Sequence, residues 1–266
     1  MDEIFIFGHK NPDTDTILSA LILEAIEKTM GINKVKAYRL GEINKETKYA
    51  LDYFGVKAPE LLEEVEEGRQ VMLVDHNEFS QSVKGIEKAK IVRVVDHHKI
   101  ANFETHEPLF YLAMPVGCTA TILRDMCKVS GIKLDRITAG LMLSAIISDT
   151  LLLKSPTCTE KDKETAEELA KIANVDLYAY GMDMLKAGTD LSDFTAEQLI
   201  NIDSKPFETK GIKYQVAQVN TASIDEVMKE KEKIEEAMAK FMNENGEELF
   251  VFLITDIIGN NSQVIA

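Results

Sequence analysis

Apolar and polar positions fall in blocks along this chain. Residues 4–8 form a short, phenylalanine-rich apolar run ended by glycine, which has the length and composition of a strand. Ile17, Leu18, Leu21, Ile22, Ala25 and Ile26 follow at helical spacing and predict a helix over 16–30, with Gly31 as its C-cap. Val35–Arg39 predicts a second strand, and helices are expected over 44–54 and 59–67. Residues 71–75 and Lys90–Asp96 are apolar runs too brief for helices and predict two more strands. Strands alternating with helices in this way predict a mainly parallel sheet flanked by helices, an α/β domain.

From 119 to about 186 the pattern is nearly all helical. Thr159 with Asp162 resembles a capping box, and Ala166, Leu169, Ala170 and Ala173 form one apolar stripe. The periodicity stops over 186–193 (KAGTDLSD), where Gly, Thr and Ser cluster as in a linker. Beyond it the pattern predicts a helix over 195–202 and strands over 205–209 and 213–219. A capping box of Ser223 and Glu226 should open a long helix to about 243, with strands at 248–255 and from 264 onward. The expected organisation is therefore a domain over 1–188 and a smaller α/β domain over 189–266.

Composition narrows the class. The 266 residues are 45% hydrophobic, enough for two cores, and no apolar run approaches the ~18–20 residues of a membrane span. The start, MDEIFIFG, has no basic segment and no small-residue cleavage site, so no signal peptide is expected. Three cysteines, Cys118, Cys127 and Cys158, with no C-x-x-C pair, fit a reducing cytoplasm and no disulfide framework. A net charge of −15 argues against nucleic acid as a partner, but a polyanion can still bind where divalent cations reverse the local charge.

The apolar blocks end on potential metal ligands. The first leads into His9, Asp13 and Asp15; the second into Asp75; the third into Asp96, His97 and His98; and 141–148 leads into Asp149. Open α/β sheets place ligands just beyond the carboxyl ends of their strands. Singly, each has a plainer reading: Asp13 or Asp15 as a helix N-cap, Asp96 as a cap, His97 and His98 as a surface pair. His76, His106, the cysteines and Met182 with Met184 read as structural. Jointly, converging carboxylates would repel by about 4 kcal/mol per pair at ~4 Å and an effective dielectric near 20 unless cations neutralise them. Mixed carboxylate and imidazole donors suit manganese, cobalt, iron or zinc better than calcium. Two such metals ~3.5–4 Å apart are the standard arrangement for phosphate-bond hydrolysis, generating hydroxide and clamping the attacking and leaving oxygens. There is no Walker loop, no Gly-x-Gly-x-x-Gly and no Gly-x-Ser-x-Gly.

Gly8-His9-Lys10-Asn11-Pro12-Asp13-Thr14-Asp15, Asp75-His76-Asn77 and Val95-Asp96-His97-His98 resemble the DHH phosphoesterase superfamily. Within it, threonine between the two aspartates is similar to the family II, manganese-dependent inorganic pyrophosphatases. Pro115-Val116-Gly117-Cys118-Thr119-Ala120-Thr121, Ser148-Asp149-Thr150, Ser204-Lys205-Pro206-Phe207 and Ala217-Gln218-Val219-Asn220 point to the same branch. The resemblance implies two manganese ions, with cobalt as a substitute. His9, Asp13 and Asp75 would hold one, and Asp15, Asp75, His97 and Asp149 the other, with Asp75 bridging. It implies that His98 bonds substrate or leaving group, and that Lys205 binds the phosphates across a cleft between the domains. Asp75, His98 and Lys205 thus form the implied catalytic set. Pyrophosphate would arrive with magnesium and leave as two phosphates after attack by a metal-bridging hydroxide. A cytoplasmic homodimer joined through the N-terminal domain, without membrane or nucleic-acid partners, is also implied.

One departure stands out: the family's basic Ser-Arg-Lys motif has no counterpart, since no Arg-Lys follows Lys240. The second domain is therefore expected to be incomplete at its C-terminus. That leaves a non-catalytic metal-binding protein as one alternative. A DHH-type phosphodiesterase acting on short oligonucleotides or cyclic dinucleotides is another, although its usual Gly-Gly-Gly-His segment is missing.

Overall fold

Short β-branched and aromatic runs pair side by side over the first part of the chain. A computed structural model describes residues 3–257, 259 and 261–266, and divides the chain into two units, Met1–Met184 and Leu185–Ala266. In the first unit, β1 (Ile4–Phe7), β2 (Val35–Arg39), β3 (Glu60–Leu61), β4 (Gln70–Val74), β5 (Lys90–Asp96) and β6 (Phe110–Ala113) form one sheet. Its order is β3-β2-β1-β4-β5-β6 and every pairing is parallel. The order reverses direction between β1 and β4, and that switch point is where such sheets open a crevice at their carboxyl edge.

The two faces are covered differently. Helices α1 (Thr14–Thr29) and α3 (Thr119–Val129) pack on the strands, and α4 (Arg136–Asp149) packs against both, with α2 (Lys45–Phe54) and α5 (Glu160–Ala173) around it. On the other face, Phe7, Val71, Leu73 and Ile91 meet Val65, Val83 and Ile86 from connecting segments and 3₁₀ turns. The helix expected over 59–67 does not form. Glu60 and Leu61 instead extend the sheet beside β2, Leu62 N bonds Arg39 O, and Val65 enters the second core. A tertiary demand for one more edge strand and an apolar plug outweighs local helix propensity there. The four-residue β6 escapes notice in sequence because its apolar run is so short.

In the second unit, α6 (Leu177–Gly188) crosses the boundary and is followed by α7 (Ala196–Leu199). Strands β7 (Asp203–Thr209), β8 (Ile212–Thr221), β9 (Leu249–Asp256) and β10 (Asn261–Ile265) form a mixed sheet ordered β10-β9-β8-β7, in which β8 and β9 are parallel. Ala217, Val219, Phe250, Phe252 and Ile254 alternate onto one face and bury against Leu199, Ile234 and Met238. The helical run after Ser223 is split into α8 (Ile224–Met228) and α9 (Lys231–Asn245). The capping box expected of Ser223 and Glu226 is not made. Ser223 N bonds Thr221 Oγ1, Thr221 Oγ1 bonds Ser223 O, and Glu226 pairs with Lys229. Such a hydroxyl turn competes directly with the cap. Among the described residues, no helix is long and apolar enough to cross a membrane.

Candidate metal centre

The site grows out of the carboxyl edge of β1, β4 and β5. β1 is followed by Gly8, where a Cβ would meet Thr16 Cγ2 at 2.5 Å, so only glycine lets α1 begin this close to the sheet. His9 follows, and Asp13 caps α1 by accepting from Thr16 N at 2.9 Å. The N-cap reading and the ligand reading of Asp13 therefore hold at once: its Oδ1 faces the helix, while its Oδ2 lies 3.4 Å from His9 Nε2. Asp15, one residue into α1, is fully buried and accepts from Ser19 Oγ at 2.6 Å and Thr119 N at 2.7 Å.

Asp75 follows β4 in the left-handed region, φ +59, a conformation that aspartate and asparagine tolerate better than most residues and that often marks functional sites. The turn swings its carboxylate into the crevice, where Thr16 Oγ1 donates to Oδ2 at 2.6 Å and Thr119 Oγ1 donates to Oδ1 at 3.2 Å. His9 Nε2 lies 3.5 Å from one Asp75 oxygen and His97 Nε2 lies 3.2 Å from the other. Past β5, His97 Nδ1 donates to Val116 O at 3.0 Å, which aims Nε2 at Asp75 and, 3.6 Å away, Asp149 Oδ2. Asp149 stands in the last turn of helix α4, so its apolar block is a helix and not a strand.

These side chains form overlapping sets whose donor atoms lie within 4.8 Å of one another: His9, Asp13 and Asp75; Asp15, Asp75, His97 and Asp149; and Asp75, His97 and His98. Asp75 belongs to all three. His98 is the outlier. It is half exposed, and its Nδ1 lies 2.9 Å from Asp96 Oδ1 against 3.6 Å from Asp75. Asp96 is fully buried and also accepts from Asn77 Nδ2 at 2.6 Å and His98 N at 3.0 Å, so it orients His98 and is no ligand candidate. Lys205 lies on β7 of the second unit. It sits in register with Val216, on the face away from the helix-covered core, with Nζ 3.3 Å from Asp203 Oδ1.

The electrostatics fit a cation site. Burial first, and then the charge of Asp15, push Asp75 up to about 7, and the same two causes hold Asp149 well above the carboxylate range. Burial pulls His97 down, but its bond to Asp75 and the charge of Asp15 outweigh it and raise the imidazole to about 9. Hydroxyls, a backbone amide and imidazoles are the partners that the buried carboxylates have, and divalent cations suit a donor set of this hardness. His76 is structural as read: its ring is buried between Val74 O at 2.9 Å and Ser82 Oγ at 3.1 Å, and burial drops it to about 4.

Supporting groups were harder to find in the sequence. Thr16, Ser19, Thr119, Asp96 and Asn77 orient the carboxylates and His98, yet hydroxyls and amides near a motif carry little signal of their own. Asp162 is a clearer omission: beyond the Thr159 capping box it accepts from Gly117 N at 2.8 Å and Thr121 Oγ1 at 2.6 Å, and so fixes the segment that carries Val116 and Thr119.

Residues 3–146 match the DHH family, N-terminal domain, and residues 182–266 match the DHHA2 domain. A protein from Oceanobacillus iheyensis that carries the name of a manganese-dependent inorganic pyrophosphatase is 54% identical over 266 residues, all of this chain and 86% of that protein. One of the same name from Staphylococcus epidermidis is 54% identical over 265 residues, again with 86% of its length covered. A crystal structure from Methanococcus jannaschii, described as a family II inorganic pyrophosphatase, superposes with a TM-score of 0.72 at 40% identity, covering 99% of this chain and 88% of that one. An exopolyphosphatase-related protein from Bacteroides fragilis shares the fold at 13% identity and a TM-score of 0.56. With both of its domains matched and relatives of this identity along its full length, the chain belongs to the DHH family, in its manganese-dependent inorganic pyrophosphatase branch.

Proposed function

We propose that this protein hydrolyses inorganic pyrophosphate to two phosphates at the carboxyl edge of its first sheet. The observation that carries the reading is the cluster of four aspartates and two histidines around Asp75, whose two oxygens face His9 and His97 separately. His9, Asp13 and Asp75 would hold one manganese ion, and Asp15, Asp75, His97 and Asp149 a second, with cobalt as a substitute and magnesium accompanying the substrate. Cations bound there supply Lewis acidity and lower the pKa of water to near neutrality.

The chain's own residues do the rest. His98 Nδ1 donates to Asp96 Oδ1 at 2.9 Å, and this bond, aided by the charge of Asp75, raises the imidazole above its ordinary value despite partial burial. With Nδ1 engaged by Asp96, Nε2 is the ring nitrogen left to pass a proton to a leaving phosphate oxygen as a general acid. Lys205 offers an exposed ammonium on β7 to neutralise phosphate charge. Action in a reducing cytoplasm is supported by three free cysteines, and assembly into a homodimer by the exposed Phe110 on edge strand β6.

The test is phosphate release from magnesium pyrophosphate after manganese loading, with a short oligonucleotide in parallel. Rapid release from pyrophosphate alone supports the proposal. Cleavage of the oligonucleotide with pyrophosphate untouched would replace it with a phosphodiesterase reading.

A further inference from the structure

Glu46 lies in the first turn of α2, a helix that carries none of the ligand candidates, and is absent from the sets of converging donor atoms. Its surroundings nevertheless tie it to them. Thr14 Oγ1 donates to Glu46 Oε1 at 2.7 Å, and Ser148 Oγ donates to the same oxygen. Thr14 is the residue between Asp13 and Asp15, and Ser148 is the residue before Asp149. Since the single Thr14 proton goes to Glu46, the 3.1 Å contact between Thr14 and Thr47 hydroxyls is donated by Thr47, so a second α2 residue joins the same network. Asn44 accepts from Thr47 N at 2.7 Å and fixes the turn from which both residues project.

We propose that Glu46 is a positioning residue for the metal centre: one carboxylate oxygen binds the start of α1 to the end of α4 and holds Asp13, Asp15 and Asp149 at ligand spacing. The argument rests on the reading of the Asp75 cluster as a cation site. Without cations those aspartates repel, and the parts free to yield are the helix ends that bear them. A tie from a third, ligand-free helix opposes that separation before any ion arrives, so less order has to be imposed on binding. The tie needs an acceptor oxygen at this point. Glutamine supplies one and alanine does not, which separates a positional role from a purely electrostatic one.

The experiment is calorimetric titration of manganese into the metal-free full chain for wild type, Glu46→Gln and Glu46→Ala, with metal-free thermal unfolding in parallel. Loss of a group that orients ligands typically weakens metal affinity by ~10–100-fold. That loss is expected for Glu46→Ala, with most of it recovered in Glu46→Gln and little change in the metal-free melting temperature. Wild-type affinity in Glu46→Ala would overturn the proposal. So would equal weakening in both variants, or a loss matched by an equal fall in metal-free stability. Should Glu46→Ala not fold, Ser148→Ala removes one arm of the tie with a smaller change: weakened manganese binding supports the proposal, and unchanged binding overturns it. Absence of pyrophosphate hydrolysis by wild type, with the titrations as expected, would remove the proposed reaction and leave the tie standing.

Discussion

Because asparagine is as well tolerated as aspartate at φ +59, Asp75→Asn removes a charge and leaves the backbone of Asp75 undisturbed. Both metal sets lose their shared ligand, so manganese content by elemental analysis should fall to near zero; unchanged content would sink the bridging role. A second readout follows from the proton balance. Without metal, burial and the charge of Asp15 hold Asp75 at about 7, against 3.8 for the ordinary group. A carboxyl raised in the folded state contributes stability that is complete below the unfolded value and is lost as pH rises through the folded one. Metal-free wild type should therefore lose ground to Asp75→Asn between about pH 4 and 7, as read by melting temperatures. His98→Gln tests a different role. With Nδ1 bonded to Asp96 and a place only in the set with Asp75 and His97, His98 should leave manganese binding intact while its loss slows turnover by ~10²–10⁴-fold, the usual range for a general acid. Normal turnover in that variant would remove His98 from the chemistry.

Helix α5 shows how an element with no ligand candidate shapes the centre. Its third residue, Asp162, is fully buried and accepts from Thr159 N, Thr159 Oγ1, Gly117 N and Thr121 Oγ1 at 2.6–2.8 Å. Asp162→Ala strands these donors, a loss of about 3 kcal/mol at the usual cost of buried unsatisfied groups. In a unit of this size that is roughly 6–12 °C in melting temperature. It also loosens Val116, which orients His97, and Thr119, which feeds Asp15 and Asp75, so manganese should bind more weakly. A destabilised variant with unaltered manganese affinity would confine Asp162 to folding. The capping box itself was legible, because Thr159 and Asp162 stand at the required spacing, whereas its link to Gly117 crosses 45 residues and leaves no local trace. The same distinction explains the other elements. Parallel strands β1 and β4 announce themselves as continuous apolar runs because both of their faces are covered. The segment at 59–67 does not, because it is recruited by an edge pairing with β2 and a core on the far face. Asp149 was legible as the end of an apolar block within the stretch read as helical, and α4 carries it.

Across the whole molecule, the four aspartates and two histidines of the centre all belong to the first unit, while the second has its own core of Ala217, Val219, Ile234, Phe250, Phe252 and Ile254. A ligand stabilises only the unit that binds it, by RT ln(1 + [L]/Kd), about 2.7 kcal/mol per site at a hundredfold excess over Kd. For a unit of Met1–Met184 this amounts to roughly 5–11 °C per site. Relief of the repulsion among Asp13, Asp15, Asp75 and Asp149 adds to the effect, while protons competing for Asp75, held at about 7 by burial and the charge of Asp15, oppose it. Differential scanning calorimetry should therefore resolve two transitions. Manganese should raise one and chelation lower it, with the other staying within a degree or two. The manganese-sensitive transition should gain most as pH rises from 6 to 8, where fewer protons compete for the carboxylates and His97. A single transition that moves as a whole would show that the two units unfold together, so that metal held by the first also stabilises the sheet that presents Lys205.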